Sequence, residues 1–375
     1  MARLELVGVE KTFPGGIPAL RGVDLTVEDG ELFVIVGPSG SGKSTILRLV
    51  AGLERPDSGS MSLDGLPIEN LAPRDRDVAM VFQDQLLYPH LDVFENMAFG
   101  LRARRVGRPE IEERVRATAS ILKVADCLGR RPETLSGGQR RRVALGRALV
   151  LRPRLFLMDE PFSGLDAPLR ASTRSELVEL HRTLGTTMIL VTHDQAEALA
   201  IGDRVAVLDQ GRLLQVGRPL ELYDLPSSRT VARFIGQPEM NLLSGELARS
   251  EEGLELRIGD PADLPVWTIR LDTRRATKLL ASKVSRVQLG LRPEQISVIQ
   301  SEAARPGPGG PSFASTVRRL EPMGSETLAF LAFGTEEIVA RLSSGISIRA
   351  GDPVMVEMEL GRAHWFDPAS GDRLA

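Results

Sequence analysis

The segment Gly37-Pro-Ser39-Gly40-Ser-Gly42-Lys43-Ser44 fits the pattern G-x-x-x-x-G-K-[ST] without deviation, and Thr45 follows it. Its glycines let backbone N–H groups turn inward around phosphates. Lys43 is set against β- and γ-phosphate oxygens, and the Ser44 hydroxyl is set to coordinate Mg²⁺. The helix that must start here adds its dipole to the same end. Asp159 and Glu160 close a second apolar run, Leu155-Phe-Leu-Met158. Two adjacent carboxylates at a strand end can divide the work of hydrolysis, one holding metal-bound water and the next polarising the attacking water. Such a pair alone also reads as solvated charge; beside a phosphate loop it reads as catalytic. A third element, Leu135-Ser136-Gly137-Gly138-Gln139, precedes a helical pattern and offers a second set of backbone donors for phosphate. The first site has no evident use for it. The economical reading is that it serves a site on another copy of the chain, which makes the protein a dimeric nucleotide-driven switch.

Four further features are less specific. His193 ends the run Met188-Ile-Leu-Val-Thr192 and is either a packing or surface residue or a group that reaches the γ-phosphate. Gln83, after Met80-Val-Phe82, has an amide oxygen able to bond Mg²⁺ or water, and by itself says little. Phe13, ahead of Pro14-Gly-Gly, either stacks on a nucleotide base or fills a core. Arg140-Arg-Arg142 lies on a helical pattern with no interleaved aromatic residue, so a solvated face or an interface to a partner's phosphate is favoured over a nucleic-acid patch.

These residues require a particular scaffold. Leu32–Val36 is a short apolar run ending at Gly37, and from Ser44 onward apolar residues recur at helical spacing until Gly52. Strand, glycine turn and helix in that order is the context a phosphate loop needs. Leu155–Met158 and Met188–Val191 are two further buried-strand candidates. In an open parallel sheet, ligands bind at the carboxyl ends of the strands, so all three present their chemistry at one edge. Residues 84–150 are richer in arginine and in helical pattern and read as a helical subdomain. Val205–Leu208, the turn Asp209-Gln-Gly-Arg212 and Leu213–Val216 read as a hairpin closing a first domain at about residue 235.

After Phe234 the texture changes to short alternating runs: Leu254–Ile258, Val266–Leu271, Gln288–Leu291, Glu337–Leu342 and Val354–Leu360. They are broken by Gly/Pro turns such as Arg305–Pro311, and predict a small β-barrel over 236–375.

Composition bounds the rest. A chain of 375 residues holds two domains or three. A hydrophobic share of 42% and a net charge of −3 give no electrostatic argument for nucleic acid or an anionic membrane. Cys127 is the single cysteine, which excludes an intrachain disulfide and fits a reducing compartment. The N-terminus lacks the apolar core of a secretory signal, and no run of about 18 apolar residues predicts a membrane helix.

The ordered set Phe13, GPSGSGKST at 37–45, Gln83, LSGGQ at 135–139, LFLMDE at 155–160, SGLD at 163–166 and His193 resembles the ATP-binding cassette (ABC) ATPases over about the first 235 residues. The resemblance implies an α/β P-loop NTPase cassette with a helical subdomain. It also implies two copies sandwiching two ATP molecules. Each nucleotide would be held by one copy's phosphate loop and the other's Ser136, Gly137, Gly138 and Gln139, with Asp166 kept at the contact between sites. It assigns Glu160 as general base, His193 as γ-phosphate contact, Asp159 with Ser44 and Gln83 as Mg²⁺ partners, and Phe13 as base contact. Two positions depart from the pattern of importer subunits: Gly164, where asparagine is common, and Arg141, where glutamine is frequent.

The remaining residues are similar to the C-terminal all-β, OB-like TOBE domain of importer ATPases. The matching segments are Gly236-Gln-Pro-Glu-Met-Asn241, Gly290-Leu-Arg-Pro-Glu294, Gly324-Ser-Glu-Thr327 and His364–Gly371. The first of these points to carbohydrate uptake rather than polyamine, iron or sulfate uptake. By the same resemblance the chain works peripherally at the cytoplasmic face of the inner membrane. Membrane permease subunits would insert a helix near Gln83 and Leu86–His90, and a solute-binding protein would act indirectly. A repair or chromosome-maintenance ATPase of the same superfamily would need a long coiled coil between the phosphate loop and LSGGQ. That interval is about 90 residues and has no sustained heptads.

Overall fold

The computed structural model describes residues 2–82, 86–251, 253–259, 267–299 and 311–374. The chain divides into two compact units, Met1–Leu220 and Glu221–Ala375, a division upstream of the change in sequence texture.

The first unit begins with strands β1 (Leu4–Phe13), β2 (Ile17–Val27) and β3 (Leu32–Val36), then helix α1 (Lys43–Ala51), β4 (Ser58–Leu63), β5 (Leu66–Pro67) and β6 (Val78–Val81). Three helices follow, α2 (Val93–Ala103), α3 (Arg108–Ile121) and α4 (Gly137–Leu149). The unit then alternates β7 (Leu155–Asp159), α5 (Ala167–Leu184), β8 (Thr187–Thr192), α6 (Gln195–Ile201), β9 (Arg204–Asp209) and β10 (Arg212–Gly217). The larger sheet has the order β10-β9-β3-β8-β7-β6. Its strands β9, β3, β8, β7 and β6 are parallel, and β10 closes it as an antiparallel hairpin. Every residue of β3 and β8 is buried, as both faces of a parallel sheet must be when helices or a second sheet cover them.

The covering layer on one face is a second sheet, antiparallel, in the order β2-β1-β4-β5. Nothing in the sequence reading anticipates it. Its strands break the two-residue alternation at bulges, with register shifts between Leu6 and Val9 and glycine in the left-handed region at Gly8 and Gly22. Helix α1 lies in the core between the sheets, where Ile46, Leu47, Leu49 and Val50 pack with Leu4, Leu6 and Val9 on one side and Phe33, Ile35, Leu157 and Val191 on the other.

Helix α7 (Pro219–Asp224) spans the division, and α8 (Arg229–Phe234) opens the second unit proper. Among the described residues there follow β11 (Asn241–Ser250), β12 (Gly253–Ile258), β13 (Trp267–Arg270), α9 (Thr273–Ala281), β14 (Arg286–Leu291), β15 (Ile296–Ile299), β16 (Ser312–Pro322), β17 (Glu326–Phe333), β18 (Glu336–Ser343), β19 (Pro353–Met358) and β20 (His364–Phe366). They form two five-stranded antiparallel sheets, β13-β12-β11-β14-β20 and β15-β19-β16-β17-β18. One core joins them, with Leu243, Leu256 and Leu289 from the first meeting Val317, Leu331 and Val356 from the second. Of the strand expected at Val266–Leu271, β13 covers Trp267–Arg270; Val266 lies outside the described residues, as does 305–310 of the expected turn.

Two of the segments that carry the TOBE resemblance act as structural joints. Arg292 is buried, and its guanidinium donates to the carbonyls of Ala232 (2.9 Å), Ile235 and Tyr223 (2.9 Å) while lying 4.1 Å over the Tyr223 ring. It thereby ties Tyr223 and the end of α8 to the segment that follows β14. A Cβ on Gly236 would stand 2.5 Å from that guanidinium, which is why the position is glycine. Asn241 bridges three strands, donating to Leu291 and Val339 carbonyls and accepting from the Val339 N–H at 2.7 Å.

His364 is equally buried, and its Nδ1 has no hydrogen-bond partner. Burial first, then the charges of Arg373 and Arg292, push its pKa down from 6.5 to about 4. The folded chain therefore keeps a neutral ring where the unfolded chain takes up a proton. Stability is expected to fall by up to about 3 kcal/mol as pH drops from 6.5 to 4. Both tryptophans, Trp267 and Trp365, lie in this unit, so urea unfolding followed by fluorescence reports on it. A His364→Gln variant should lose less stability than the wild-type over that pH interval.

Candidate functional site

The phosphate loop joins β3 to α1 and is shaped by its neighbours. A Cβ on Gly37 would sit 2.0 Å from the Leu208 carbonyl oxygen, and one on Gly42 would sit 2.5 Å from that of Ala19. No other residue fits either place. Ser39 and Gly40 are exposed at the tip, and Thr45 is half-buried in the first turn of α1. The Lys43 ammonium donates to the carbonyls of Gly37 and Pro38, each at 2.8 Å. Desolvation lowers its pKa, against the opposing pull of Glu160 and then Asp159.

Adjacent strand ends bring the rest together. β3 pairs with β8 and β8 with β7, so Lys43, His193 and the Asp159–Glu160 pair emerge side by side at one edge of the sheet. The Ser44 hydroxyl donates to Asp159 Oδ1 at 2.8 Å. Burial raises the Asp159 pKa, and the Ser44 bond works against it. Glu160 adopts φ +45°, a left-handed conformation uncommon outside glycine. Its N–H donates to the Val191 carbonyl (3.1 Å), and its Oε1 lies 3.2 Å from His193 Nδ1. That turn of the chain aims the carboxylate along the sheet edge toward β8 rather than on into solvent.

The donor set suits Mg²⁺. That ion takes hard oxygen ligands and keeps several waters, so it needs one or two protein groups rather than a cage. Ser44 Oγ and Asp159 are two such oxygens, and no cluster of three or more His, Cys, Asp or Glu able to hold a metal occurs among the described residues. Gln83 lies outside the described residues, just beyond β6.

Ser136, Gly137, Gly138 and Gln139 stand apart from this edge. Ser136 caps α4: its Oγ accepts from the Gln139 N–H (3.2 Å), and Gln139 Oε1 accepts from the Ser136 N–H (3.0 Å). With these donors satisfied by the capping box, Gly137 and Gly138 carry the first-turn N–H groups that a helix start leaves without an intrahelical acceptor. A Cβ on either glycine would meet nothing. The fold itself makes no demand for glycine here, in contrast to Gly37 and Gly42. The groove beside them, about 540 Å³, is lined also by Leu86, Pro89, Ser163, Gly164 and Leu165, and by none of Lys43, Ser44, Asp159, Glu160 or His193.

Asp166 caps α5, accepting from the Leu169 N–H at 2.9 Å. Gly164 has φ +71°, in the left-handed region that glycine and asparagine enter most readily. The departure at Gly164 is thus an exchange between two residues suited to one backbone shape. Phe13 ends β1, half-buried, with the Lys11 ammonium 5.7 Å from its ring centre, and is not part of the buried core. Beyond the sequence-derived set, Thr192, Asp194, Glu197 and Arg170 form a polar network behind His193. Its local part, Thr192, Asp194 and Glu197, is close in sequence, but Arg170 joins it only when α5 packs beside α6, which sequence reasoning did not reach.

The chain is similar to known proteins in both of its parts. Residues 20–163 match the ABC transporter family and residues 289–366 the TOBE domain family. The sn-glycerol-3-phosphate import ATP-binding proteins UgpC of Cupriavidus pinatubonensis and Yersinia enterocolitica are each 44% identical to the chain, covering all of it and 100% and 99% of their own lengths. Among solved structures, cbiO1 of Clostridium perfringens, part of an ABC transporter complex, superposes with a TM-score of 0.55 at 30% identity over 58% of this chain and 89% of its own. The dimeric cassette MJ0796, in a post-hydrolysis state bound to ADP and Pi, superposes with a TM-score of 0.52 at 31% identity over 58% of this chain and 98% of its own. The full-length likeness to import ATP-binding proteins, with an ABC transporter match followed by a TOBE match, shows that the chain belongs to the ABC transporter ATP-binding subunits of the import type.

Proposed function

We propose that the chain is the motor of a carbohydrate importer, with sn-glycerol-3-phosphate the first solute to test. The observation that carries the mechanism is the pairing of Ser44 with Asp159 and of Glu160 with His193 on neighbouring strand ends. Backbone N–H groups of residues 37–45 and the Lys43 ammonium bind the ATP phosphates, and Phe13 meets the base. Ser44, Asp159 and Gln83 would hold Mg²⁺, which when bound neutralises charge at the β- and γ-phosphates. Glu160 takes the proton of the attacking water, and His193 holds the γ-phosphate while orienting Glu160.

Gly137 and Gly138, free of any packing duty in their own chain, donate to ATP on a second copy, with Ser136 and Gln139 beside them and Asp166 at the junction. ATP is then sandwiched between two copies, and hydrolysis needs both. Permease subunits dock near Phe82 and Leu86 at the cytoplasmic face of the inner membrane, a reading that the exposure of these two apolar side chains supports. Asn96 holds the adjoining segment rigid through bonds to Tyr88, Leu91 and Asp92. A solute-binding protein would signal through the permease.

The test is ATPase activity of the chain reconstituted with its permease subunits in liposomes. Loaded binding protein should stimulate turnover with a sugar or glycerol phosphate, and not with spermidine, ferric ion or sulfate. Stimulation by one of the latter alone would overturn the solute class.

A further inference from the structure

Arg170, in the first turn of α5, joins two segments on either side of the site. Its Nη2 donates to the Leu165 carbonyl at 2.9 Å, at the residue before Asp166. Its Nη1 lies 3.6 Å from Asp194 Oδ2, and its Nε 3.7 Å from Glu197 Oε1. Nε is buried without a hydrogen-bond partner, so the guanidinium faces two carboxylates that stand just beyond bonding distance. Those carboxylates secure the backbone around His193. Thr192 Oγ1 donates to Glu197 Oε2 (2.6 Å) and accepts from the Asp194 N–H (3.0 Å). Asp194 in turn accepts from the N–H groups of Ala196 and Glu197. Without that cation, Asp194 and the buried Glu197, both in the turn that directly follows His193, would repel one another.

The other end of the link is a segment that can respond to a partner. Ser163, Gly164 and Leu165 line the groove beside Gly137 and Gly138, and Gly164 has open space around it. A shift of the Leu165 carbonyl therefore pulls directly on the guanidinium that balances Asp194 and Glu197.

We propose that Arg170 is a positioning residue for hydrolysis: it holds His193 against Glu160 and makes that placement depend on the conformation of residues 163–166. The proposal rests on the assignment of His193 as the γ-phosphate contact. Arg170→Gln in the full chain is expected to lower kcat about 10-fold and to leave the ATP KM within about twofold, since a displaced catalytic group costs turnover rather than ground-state binding. Arg170→Lys, which keeps the charge and loses the fork, should recover part of the loss.

In a His193→Ala background the Arg170→Gln change should add less than about twofold, because its effect runs through that ring. Unchanged kcat in Arg170→Gln, or losses that simply multiply in the double variant, would overturn the proposal. Should Arg170→Gln fail to fold, Arg170→Lys, which keeps the charge and loses the fork that reaches both Leu165 and the two carboxylates, must give a smaller kcat-only loss that is absent in the His193→Ala background. Full turnover by His193→Ala alone would instead refute the role of His193, a result separate from any property of Arg170.

Discussion

Glu160→Gln is expected to hydrolyse ATP about a thousandfold more slowly than the wild-type chain, within the range that removal of a general base costs. ATP affinity should be unchanged or higher. The amide is isosteric, so the chain turn at φ +45° and the Glu160 N–H bond to Val191 survive. What is lost is a group able to accept a proton 3.2 Å from His193 Nδ1. Binding persists because the Lys43 ammonium and the loop N–H groups are untouched. With hydrolysis blocked, the ATP-bound dimer should accumulate and be visible by size-exclusion chromatography. Turnover near the wild-type rate, with ATP binding intact, would remove Glu160 from its proposed role.

The second large effect concerns the LSGGQ helix. Gly138→Asp, placed in a Glu160→Gln chain, should bind ATP as a monomer with the affinity of its parent and yet fail to form the ATP-dependent dimer. Among the described residues, nothing beyond its own helix backbone and chain neighbours lies within 4 Å of a Cβ at this position, and an acidic residue in the first turn of α4 favours the helix dipole. The fold therefore has no reason to suffer. A carboxylate aimed at the phosphates of a partner's nucleotide does have consequences, because it replaces an approach of backbone donors by repulsion between like charges. A dimer that forms as readily as in the parent would contradict the shared site. So would a loss of ATP affinity in the monomer, since that would place Gly138 at its own chain's nucleotide.

The legible parts of this protein were those whose chemistry is carried by contiguous residues. The strand–loop–helix around Gly37–Ser44 could be read because the apolar run, the glycines and the helical period abut. LSGGQ could be recognised as a helix start, and the structure adds that its serine and glutamine cap each other. The antiparallel sheet of β1, β2 and β4 stayed hidden because glycine bulges interrupt its alternation. Asn241 and Arg292 were read as family markers, whereas each proves to be a joint: one stitches β11, β14 and β18, the other ties Tyr223 and the end of α8 to the segment that follows β14.

By itself, the sequence carried a complete phosphate-loop pattern, an acidic strand end and a second glycine-rich element with the residue types to bind phosphate. Residue type and local spacing suffice for those statements, because a phosphate loop is a property of a dozen neighbouring residues. Only the tertiary structure decided which carboxylate meets which partner. Asp159 goes to Ser44 and Glu160 to His193, because β7 lies beside β8 and the chain turns left-handed at residue 160. It also decided that Gly137 and Gly138 owe nothing to their own fold, and that Arg170 reaches both Leu165 and the carboxylates behind His193. Those relations depend on strand order and helix packing, which bring together side chains that the sequence keeps far apart.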